Sequence, residues 1–113
     1  MLIIKIGGGL SINLVGIVAD LVSVNEKVVL VHGANGERNR LAEKMGYEQE
    51  VLKSVSGYSS VYSDEGLIDL QMMAYAGLVN KRIVSLCQQK GINAVGLCGL
   101  DGRVVEGRRN KGI

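Results

Sequence analysis

Short apolar runs bounded by glycine alternate with longer segments of helical spacing along this chain. The runs Leu2–Ile6 and 28–31 are rich in β-branched residues and leucine, which predicts two buried strands. Helical spacing follows each run: one helix begins after the N-cap candidate Asn13, and a second spans roughly 36–45 and ends at Gly46. Strands that alternate with helices indicate a parallel sheet with right-handed crossovers.

The second half of the chain begins with a less regular region. Val51 and Leu52 predict a short strand, and 54–60 has the composition of a loop. Asp64 then predicts the N-cap of a long helix that Gly91 ends. The apolar positions assigned to this helix are Leu67, Ile68, Met72, Ala76, Val79, Ile83 and Leu86, with Met72 and Met73 interpreted as core packing.

Beyond the long helix, the pattern predicts one more strand and a hairpin. Residues 93–97 form an apolar run that predicts a third buried strand, and Asp101-Gly102 is a hairpin signal with 103–106 as the returning strand. Gly77 lies inside the long helix, where it predicts a bend or a close packing contact. The whole pattern is typical of a doubly wound α/β domain.

Composition narrows the class of protein. A chain of 113 residues with 47% hydrophobic and 21% charged residues predicts one globular domain, and a net charge of +2 does not favour nucleic-acid binding. No apolar run is long enough to span a membrane, and no basic signal segment precedes the first strand, so we expect a cytoplasmic protein. Cys87 and Cys98 lack CxxC spacing and predict free thiols, while a single histidine, His32, gives no basis for a metal site.

Candidate chemistry lies where the first two strands end. Lys5 comes just before Gly7 and Gly8, and the second strand runs into Gly33 and Ala34. Parallel strands bring such turns to one edge of a sheet, where glycine permits backbone N–H groups to approach an anion. Lys5 is therefore a candidate catalytic cation beside the backbone donors of the four small residues, an arrangement suited to phosphoryl transfer.

The same features have structural interpretations that stay open at this point. A lysine at the end of a strand is often a solvated residue, and glycines after strands are often turn formers. Neither junction matches the nucleotide-binding fingerprints GxxxxGK[ST] or GxGxxG. Spacing alone therefore predicts an anion site without naming its ligand.

Several segments together resemble the amino-acid kinase superfamily. They are Leu2–Gly8, the Val-His-Gly-Ala-Asn of 31–35 in place of a His-Gly-Gly-Gly loop, and the runs 76–82, 91–97 and 100–103. The chain is most similar to acetylglutamate kinases and to archaeal and thermophile relatives that phosphorylate aminoadipate or glutamate linked to a carrier protein. The resemblance implies a three-layer sandwich with a mainly parallel sheet, of which residues 1–113 are the N-terminal, substrate-binding lobe.

The resemblance also implies roles for residues. Lys5 would stabilise the phosphoryl group in transfer, Gly7 and Gly8 would line its path, and backbone at Gly33 and Ala34 would bind substrate. The reaction would use ATP with Mg²⁺, bound by a nucleotide lobe that has no counterpart in this sequence, so the chain alone is expected to bind without turnover. Because the sequence stops at 111–113, soon after the predicted hairpin, we expect the natural protein to continue.

Two positions depart from the family pattern. Ala34 and Asn35 replace glycines of the substrate loop, and their side chains are expected to narrow it. Val61 stands where relatives have an arginine that pairs with a substrate carboxylate, a contact that valine cannot make. Three explanations are open: a different substrate, substitution by another cation such as Arg38 or Arg40, or a site that has decayed.

These observations predict an ATP-dependent kinase that phosphorylates a side-chain carboxylate in arginine or lysine biosynthesis. The substrate would be a small anionic amino acid, free or presented on an acidic carrier protein, and a homodimer through residues 64–86 is expected from the resemblance. The alternatives are a non-catalytic module that binds a ligand or dimerises, and a related kinase for a different small anion.

Overall fold

The computed structural model describes residues 1–110; residues 111–113, on which the expectation of a longer protein rests, lie outside the described residues. In chain order the elements are β1 Leu2–Ile6, α1 Leu14–Leu21, β2 Val28–His32, α2 Asn35–Lys44, β3 Val51–Lys53, β4 Ser59–Val61, α3 Glu65–Gln71, a π-helical segment Met72–Val79, α4 Asn80–Gln89 and a 3₁₀ turn Asp101–Arg103. The α/β class predicted from the sequence is confirmed.

The two predicted strands pair in parallel and end at the same edge. Ile6 lies opposite His32, so the residues that follow β1 and β2 emerge side by side. One face of this pair packs into the core, whereas Ile3, Val29 and Val31 on the other face are exposed. The prediction of fully buried strands is therefore wrong for one face, because no described element covers it.

A single layer of helices packs against the inner face of β1 and β2. The core cluster contains Ile6, Val18, Ala34, Ala74, Val79, Ile83 and Cys87, with half-buried neighbours that include Ile4, Leu30 and Leu41. α1 and α4 thus share one core with the strands. Within residues 1–110 the structure shows two layers, and the third layer of the expected sandwich stays a prediction.

Helix ends agree with the predicted caps. The Asn13 side chain accepts a hydrogen bond from the Gly16 N–H at 3.0 Å, which satisfies a free amide of α1. Asp64 caps α3 by accepting from the Leu67 N–H at 2.8 Å, and Gly46 and Gly91 follow their helices with positive φ. Local capping chemistry accounts for each of these boundaries.

The long helix predicted after Asp64 contains a π-helical segment. In an unbroken α-helix, which turns about 100° per residue, Leu67 and Ile83 would lie on nearly opposite sides. Both are buried, because the wider i→i+5 turns of Met72–Val79 advance the helix less per residue. Both halves of the helix are thus buried, Leu67 in a cluster with Ala42 and Leu70, and Ile83 in the core cluster that contains Ile6 and Val18.

Two methionines at the start of the π-helical segment lie on the surface. Met72 and Met73 are 51% and 47% exposed, so their assignment to the core is wrong. Gly77 lies within the π-helical segment, and a methyl group built there would meet only the Met72 carbonyl oxygen at an ordinary 3.6 Å. Close packing does not explain this glycine, and the predicted bend stays a prediction.

The predicted strand at 93–97 and the hairpin after it are wrong. Residues 93–97 form no backbone ladder; instead the carbonyl groups of Ala94, Gly96 and Leu97 accept hydrogen bonds from helix side chains. The Asp101-Gly102 turn is a 3₁₀ turn whose Asp101 carboxylate accepts from the Cys98 N–H at 2.7 Å. No described strand lies beside either segment to complete a sheet.

Residues 51–61 form a small antiparallel hairpin. Val51 pairs with Val61 and Lys53 with Ser59, so the strand predicted at Val51 is confirmed. The predicted loop is shorter than expected, because Ser59 and Ser60 belong to β4. Both cysteines are free thiols as predicted, with Cys87 buried and Cys98 half-buried, and burial raises the pKa of Cys87.

Candidate functional site

The two glycine turns meet backbone against backbone at the edge where β1 and β2 end. The Gly36 N–H donates to the Gly8 carbonyl oxygen at 2.9 Å. A methyl group built on Gly8 would lie 2.6 Å from the Gly33 carbonyl carbon and closer still to the Ala34 amide nitrogen. Gly8 is therefore required for this close approach, and the structure brings Gly8, Gly33 and Ala34 together as the strand order predicted.

The Ala34 side chain does not narrow the substrate loop. Ala34 is fully buried and belongs to the core cluster, so its methyl group points away from the turn surface. Asn35, the second departure, is exposed, and its side-chain oxygen lies beside Gly8. The expectation that both side chains narrow the loop is therefore wrong for Ala34, because its Cβ packs into the core under α2.

Lys5 lies one residue before the first turn and is exposed. Its neighbours Ile4 and Ile6 face the core, so Lys5 extends from the opposite, uncovered face of the strand pair. Its Nζ donates to the Ile6 carbonyl oxygen at 2.7 Å, which keeps the ammonium group near the start of the Gly7 turn. The structure thus places Lys5 beside the turns but not in the cleft between the helices.

That cleft, of about 460 Å³, lies between the first glycine turn, α1 and α4. Its lining includes Gly7, Gly8, Gly33, Glu37, Arg82 and Gln89. Glu37 accepts from Arg40 Nε at 2.7 Å and from Arg82 Nη1 at 2.8 Å, and its side chain is only 14% exposed. Sequence reasoning did not find this three-residue ion cluster, since Arg82 comes from a different helix.

The cluster predicts a pH dependence of stability. Hydrogen bonds from Arg40, and then Arg82, hold the pKa of Glu37 below its usual value. The stabilisation is present above the unfolded pKa of about 4.3 and is lost as pH falls through the lowered folded pKa. Glu37→Gln is expected to lower the free energy of unfolding at pH 7 by about 1 kcal/mol or less, because both arginines are partly exposed.

Urea denaturation at pH 7 and at acidic pH checks this expectation. The difference in free energy of unfolding between the parent and Glu37→Gln should shrink as pH falls below about 4.3. Glu43→Gln, which changes an exposed carboxylate on the same helix, is the matched control. A gap that stays constant from pH 7 to the most acidic point would contradict the assignment.

Val61 lies in a second, shallow cleft of about 410 Å³ on the β3–β4 hairpin. Arg38 lines this cleft together with Val51, Ser59, Ser60 and Val61. The Arg38 guanidinium contacts the Asn39 amide oxygen at 3.1–3.2 Å and no described carboxylate, whereas Arg40 is paired with Glu37. Of the two cations considered as substitutes, only Arg38 is in position beside Val61.

A buried polar network behind the second turn was also missed. Asn80, at the start of α4, contacts His32 at 3.1 Å and the Leu97 carbonyl oxygen at 3.2 Å. Gly96 lies so close to Asn80 that a methyl group there would overlap the amide oxygen. The sequence offered one signal for this network, namely Asn80 as a polar residue in the apolar pattern of the long helix. Its partners Leu97 and His32 could not be identified, because they lie 17 and 48 residues away.

Within residues 1–110 the structure shows neither a metal-binding cluster nor a membrane-spanning helix. No group of three or more His, Cys, Asp or Glu side chains in this part of the chain is arranged to hold a metal ion. No helix there has the length and apolar character needed to cross a bilayer. The polar groups of the candidate site are backbone amides of the two turns and the nearby cations.

Comparison with known proteins gives relatives that align with nearly the whole chain. Two [LysW]-aminoadipate kinases, from Deinococcus radiodurans and Thermus thermophilus, are each 40% identical over 116 residues. A putative [LysW]-aminoadipate/[LysW]-glutamate kinase from Nitrosopumilus maritimus is 39% identical over 114 residues. These alignments cover 98–100% of this chain but only 40–43% of the relatives, so the chain spans about two fifths of their length.

The family follows from the extent of the match. The model described as "Amino acid kinase family" matches residues 1–112, which include both glycine turns, the hairpin and the long helix. The segments that suggested a resemblance at the outset lie within this range. This chain belongs to the amino acid kinase family.

Proposed function

We propose that this chain is the substrate-binding part of an ATP-dependent kinase that phosphorylates a side-chain carboxylate. The observation that supports this most directly is the contact between the turns at Gly8 and Gly33, beside the start of α2. α2 begins without a side-chain cap, and among its first amides the Gly36 N–H is already engaged by the Gly8 carbonyl oxygen. Backbone amides at such a helix start suit a carboxylate or a phosphoryl group.

The chemistry requires little from the protein beyond positioning and charge. A carboxylate oxygen attacks the γ-phosphorus of ATP, the bond to the β–γ bridging oxygen breaks, and ADP leaves as an acyl phosphate forms. The nucleophile is ionised at neutral pH and needs no general base. Lys5 would rotate from the Ile6 carbonyl oxygen to stabilise the charge of the moving group, with Mg²⁺ brought by ATP.

The relatives and the site support a proposal for the substrate class. Their names denote aminoadipate or glutamate joined to the carrier LysW, so we propose a carrier-linked amino acid in lysine or arginine biosynthesis, with acetylglutamate as the alternative. A cytoplasmic homodimer is also proposed; Ile68, Met72 and Met73 give α3 and the π-helical segment an exposed apolar surface for it. The nucleotide would be bound by a lobe outside this chain, so the chain alone would not turn over.

The decisive experiment measures phosphorylation by a protein that contains this chain as its N-terminal part. ADP release and trapping of the acyl phosphate with hydroxylamine are followed for carrier-linked aminoadipate, carrier-linked glutamate and acetylglutamate. Formation of a hydroxamate with any of these supports a carboxylate kinase and identifies the substrate. If none of the three substrates causes ADP release but an amino acid binds calorimetrically, the result supports the non-catalytic module instead.

We propose that Arg38, rather than residue 61, supplies the cation that pairs with a carboxylate of the substrate, at a point away from the carboxylate that is phosphorylated. Arg38→Gln is expected to weaken substrate binding roughly tenfold, because a charge-assisted hydrogen bond to a carboxylate is lost. Calorimetric titration with the substrate identified above measures the effect. Arg40→Gln, which removes a cation already paired with Glu37, should leave substrate affinity nearly unchanged.

A second substitution makes the Arg38 assignment sharper. Val61→Arg introduces an arginine across the same cleft and should restore much of the affinity lost in Arg38→Gln. Equal affinity in the parent and in Arg38→Gln would show that the carboxylate is bound elsewhere. The site would then use either a different substrate or a cation outside this chain.

A further inference from the structure

Asn80 is the one polar side chain classed as buried within the described part of the chain, with 7% of its surface exposed. Burial of an amide group is unfavourable unless its hydrogen bonds are satisfied. The Asn80 Nδ2 group donates to the Leu97 carbonyl oxygen at 3.2 Å and lies 3.1 Å from His32 Nε2. Its Oδ1 atom accepts from Lys81 Nζ at 3.0 Å. Both ends of the amide are therefore engaged.

These partners determine which way the amide points. If Asn80 were flipped, its oxygen would face the Leu97 carbonyl oxygen and its NH₂ group would face the Lys81 ammonium group, and neither pair can form a hydrogen bond. Nδ2 is therefore the atom that faces His32. Because Nδ2 is a donor, His32 Nε2 must be the acceptor.

The acceptor role of Nε2 assigns the tautomer of His32. A neutral imidazole that accepts at Nε2 has its proton on Nδ1. His32 Nδ1 lies 3.2 Å from the Gly33 carbonyl oxygen, so the proton is donated to that oxygen. One chain of hydrogen bonds thus runs from Leu97 through Asn80 and His32 to Gly33.

The last bond in this chain orients a peptide of the candidate site. The Gly33 carbonyl oxygen and the Ala34 N–H belong to one planar trans peptide, so they point in opposite directions. Holding the oxygen toward His32 turns the N–H away from the ring. The Ala34 nitrogen lies against Gly8, at the contact between the two turns.

We propose that His32 and Asn80 are positioning residues: Asn80 holds His32 in its Nδ1–H tautomer, and His32 holds the Gly33–Ala34 peptide against Gly8, where the two turns meet. The part that concerns substrate rests on the proposed function, in which the joined turns bind a carboxylate. The orientation of the peptide does not depend on that function. Preorganised backbone donors bind an anion without having to reorient when the ligand arrives.

The first experiment reads the tautomer directly. His32 is the only histidine of the sequence, so long-range ¹H–¹⁵N spectra show one imidazole ring. The parent protein is expected to show a protonated Nδ1 and an unprotonated Nε2 at pH 8, and Asn80→Ala is expected to show a mixture of tautomers. A protonated Nε2 with an unprotonated Nδ1 in the parent protein would overturn the proposal.

The second experiment separates positioning from simple stabilisation. His32→Asn keeps an N–H donor close to the position of Nδ1, whereas His32→Gln keeps only the group at the position of Nε2. His32→Gln is expected to shift the Ala34 amide resonance and to weaken glutarate binding roughly three- to tenfold, the range for one neutral hydrogen bond. His32→Asn should stay within about twofold of the parent.

The outcomes are distinguishable. If both variants lower the melting temperature but bind glutarate equally well, with the Ala34 resonance unmoved, the pair is structural only and the proposal fails. If the parent protein does not bind glutarate, the proposed carboxylate site is contradicted. The Ala34 resonance and the His32 tautomer would then still decide the positioning role.

Discussion

Replacing Lys5 by alanine is expected to lower the turnover number of the proposed kinase reaction by about 10²–10³, with a much smaller change in substrate affinity. The reason is that charge on the transferring phosphoryl group is greatest in the transition state, and only interactions made there raise turnover. Lys5 Nζ lies 2.7 Å from the Ile6 carbonyl oxygen, beside the Gly7 turn, and under the proposed function the side chain would rotate from there toward the phosphoryl group. Steady-state kinetics of a protein that includes the nucleotide lobe provide the measurement.

Lys27→Ala is the matched control for this prediction. Lys27 is exposed and lies directly before β2, at the strand end opposite the glycine turns, so its removal should not change turnover. Lys5→Arg keeps the charge but changes the geometry of the donor, and a partial recovery of turnover is expected. Unchanged turnover in Lys5→Ala would remove Lys5 from the mechanism.

Replacing Gly8 by alanine is expected to destabilise the protein by about 1–3 kcal/mol and to abolish substrate binding. A methyl group on Gly8 would overlap the backbone of Gly33 and Ala34, which cannot move as a side chain can. The two turns would have to separate, and the Gly36 N–H to Gly8 carbonyl hydrogen bond would break. Urea denaturation and substrate titration measure the two effects.

Gly9→Ala provides the comparison, since a methyl group built on Gly9 meets no atom within 4 Å. Its free energy of unfolding should lie within about 0.5 kcal/mol of the parent value. Equal stability of Gly8→Ala and Gly9→Ala would show that the turns do not touch as described. Loss of stability without loss of binding would place the substrate away from the turns.

The parts of the fold that depend on local chemistry were predictable from the sequence. Asn13 and Asp64 satisfy amides within three residues, and Gly46 and Gly91 adopt the positive φ that follows a helix. The parallel pairing of the first two strands followed from their order with an intervening helix. From that pairing alone, the meeting of the two glycine turns could be expected.

The parts that depend on distant partners were not predictable. The segment 93–97 has the composition of a strand, but a strand needs a neighbour, and its carbonyl groups bond to helix side chains instead. Arg82 and Glu37 are 45 residues apart and meet only because their two helices pack beside the same cleft. For the same reason, only the structure shows that Arg38 lies beside Val61.

The wide turns between Met72 and Val79 also have a consequence for the family's history. These turns determine how α4 is rotated about the helix axis relative to α3. They therefore determine the direction in which the Asn80 side chain points. An indel of one residue here would rotate α4 by somewhat less than the roughly 100° of an α-helical residue and carry Asn80 away from His32. Homologues that keep this pair should therefore vary in composition across these eight residues while conserving their number.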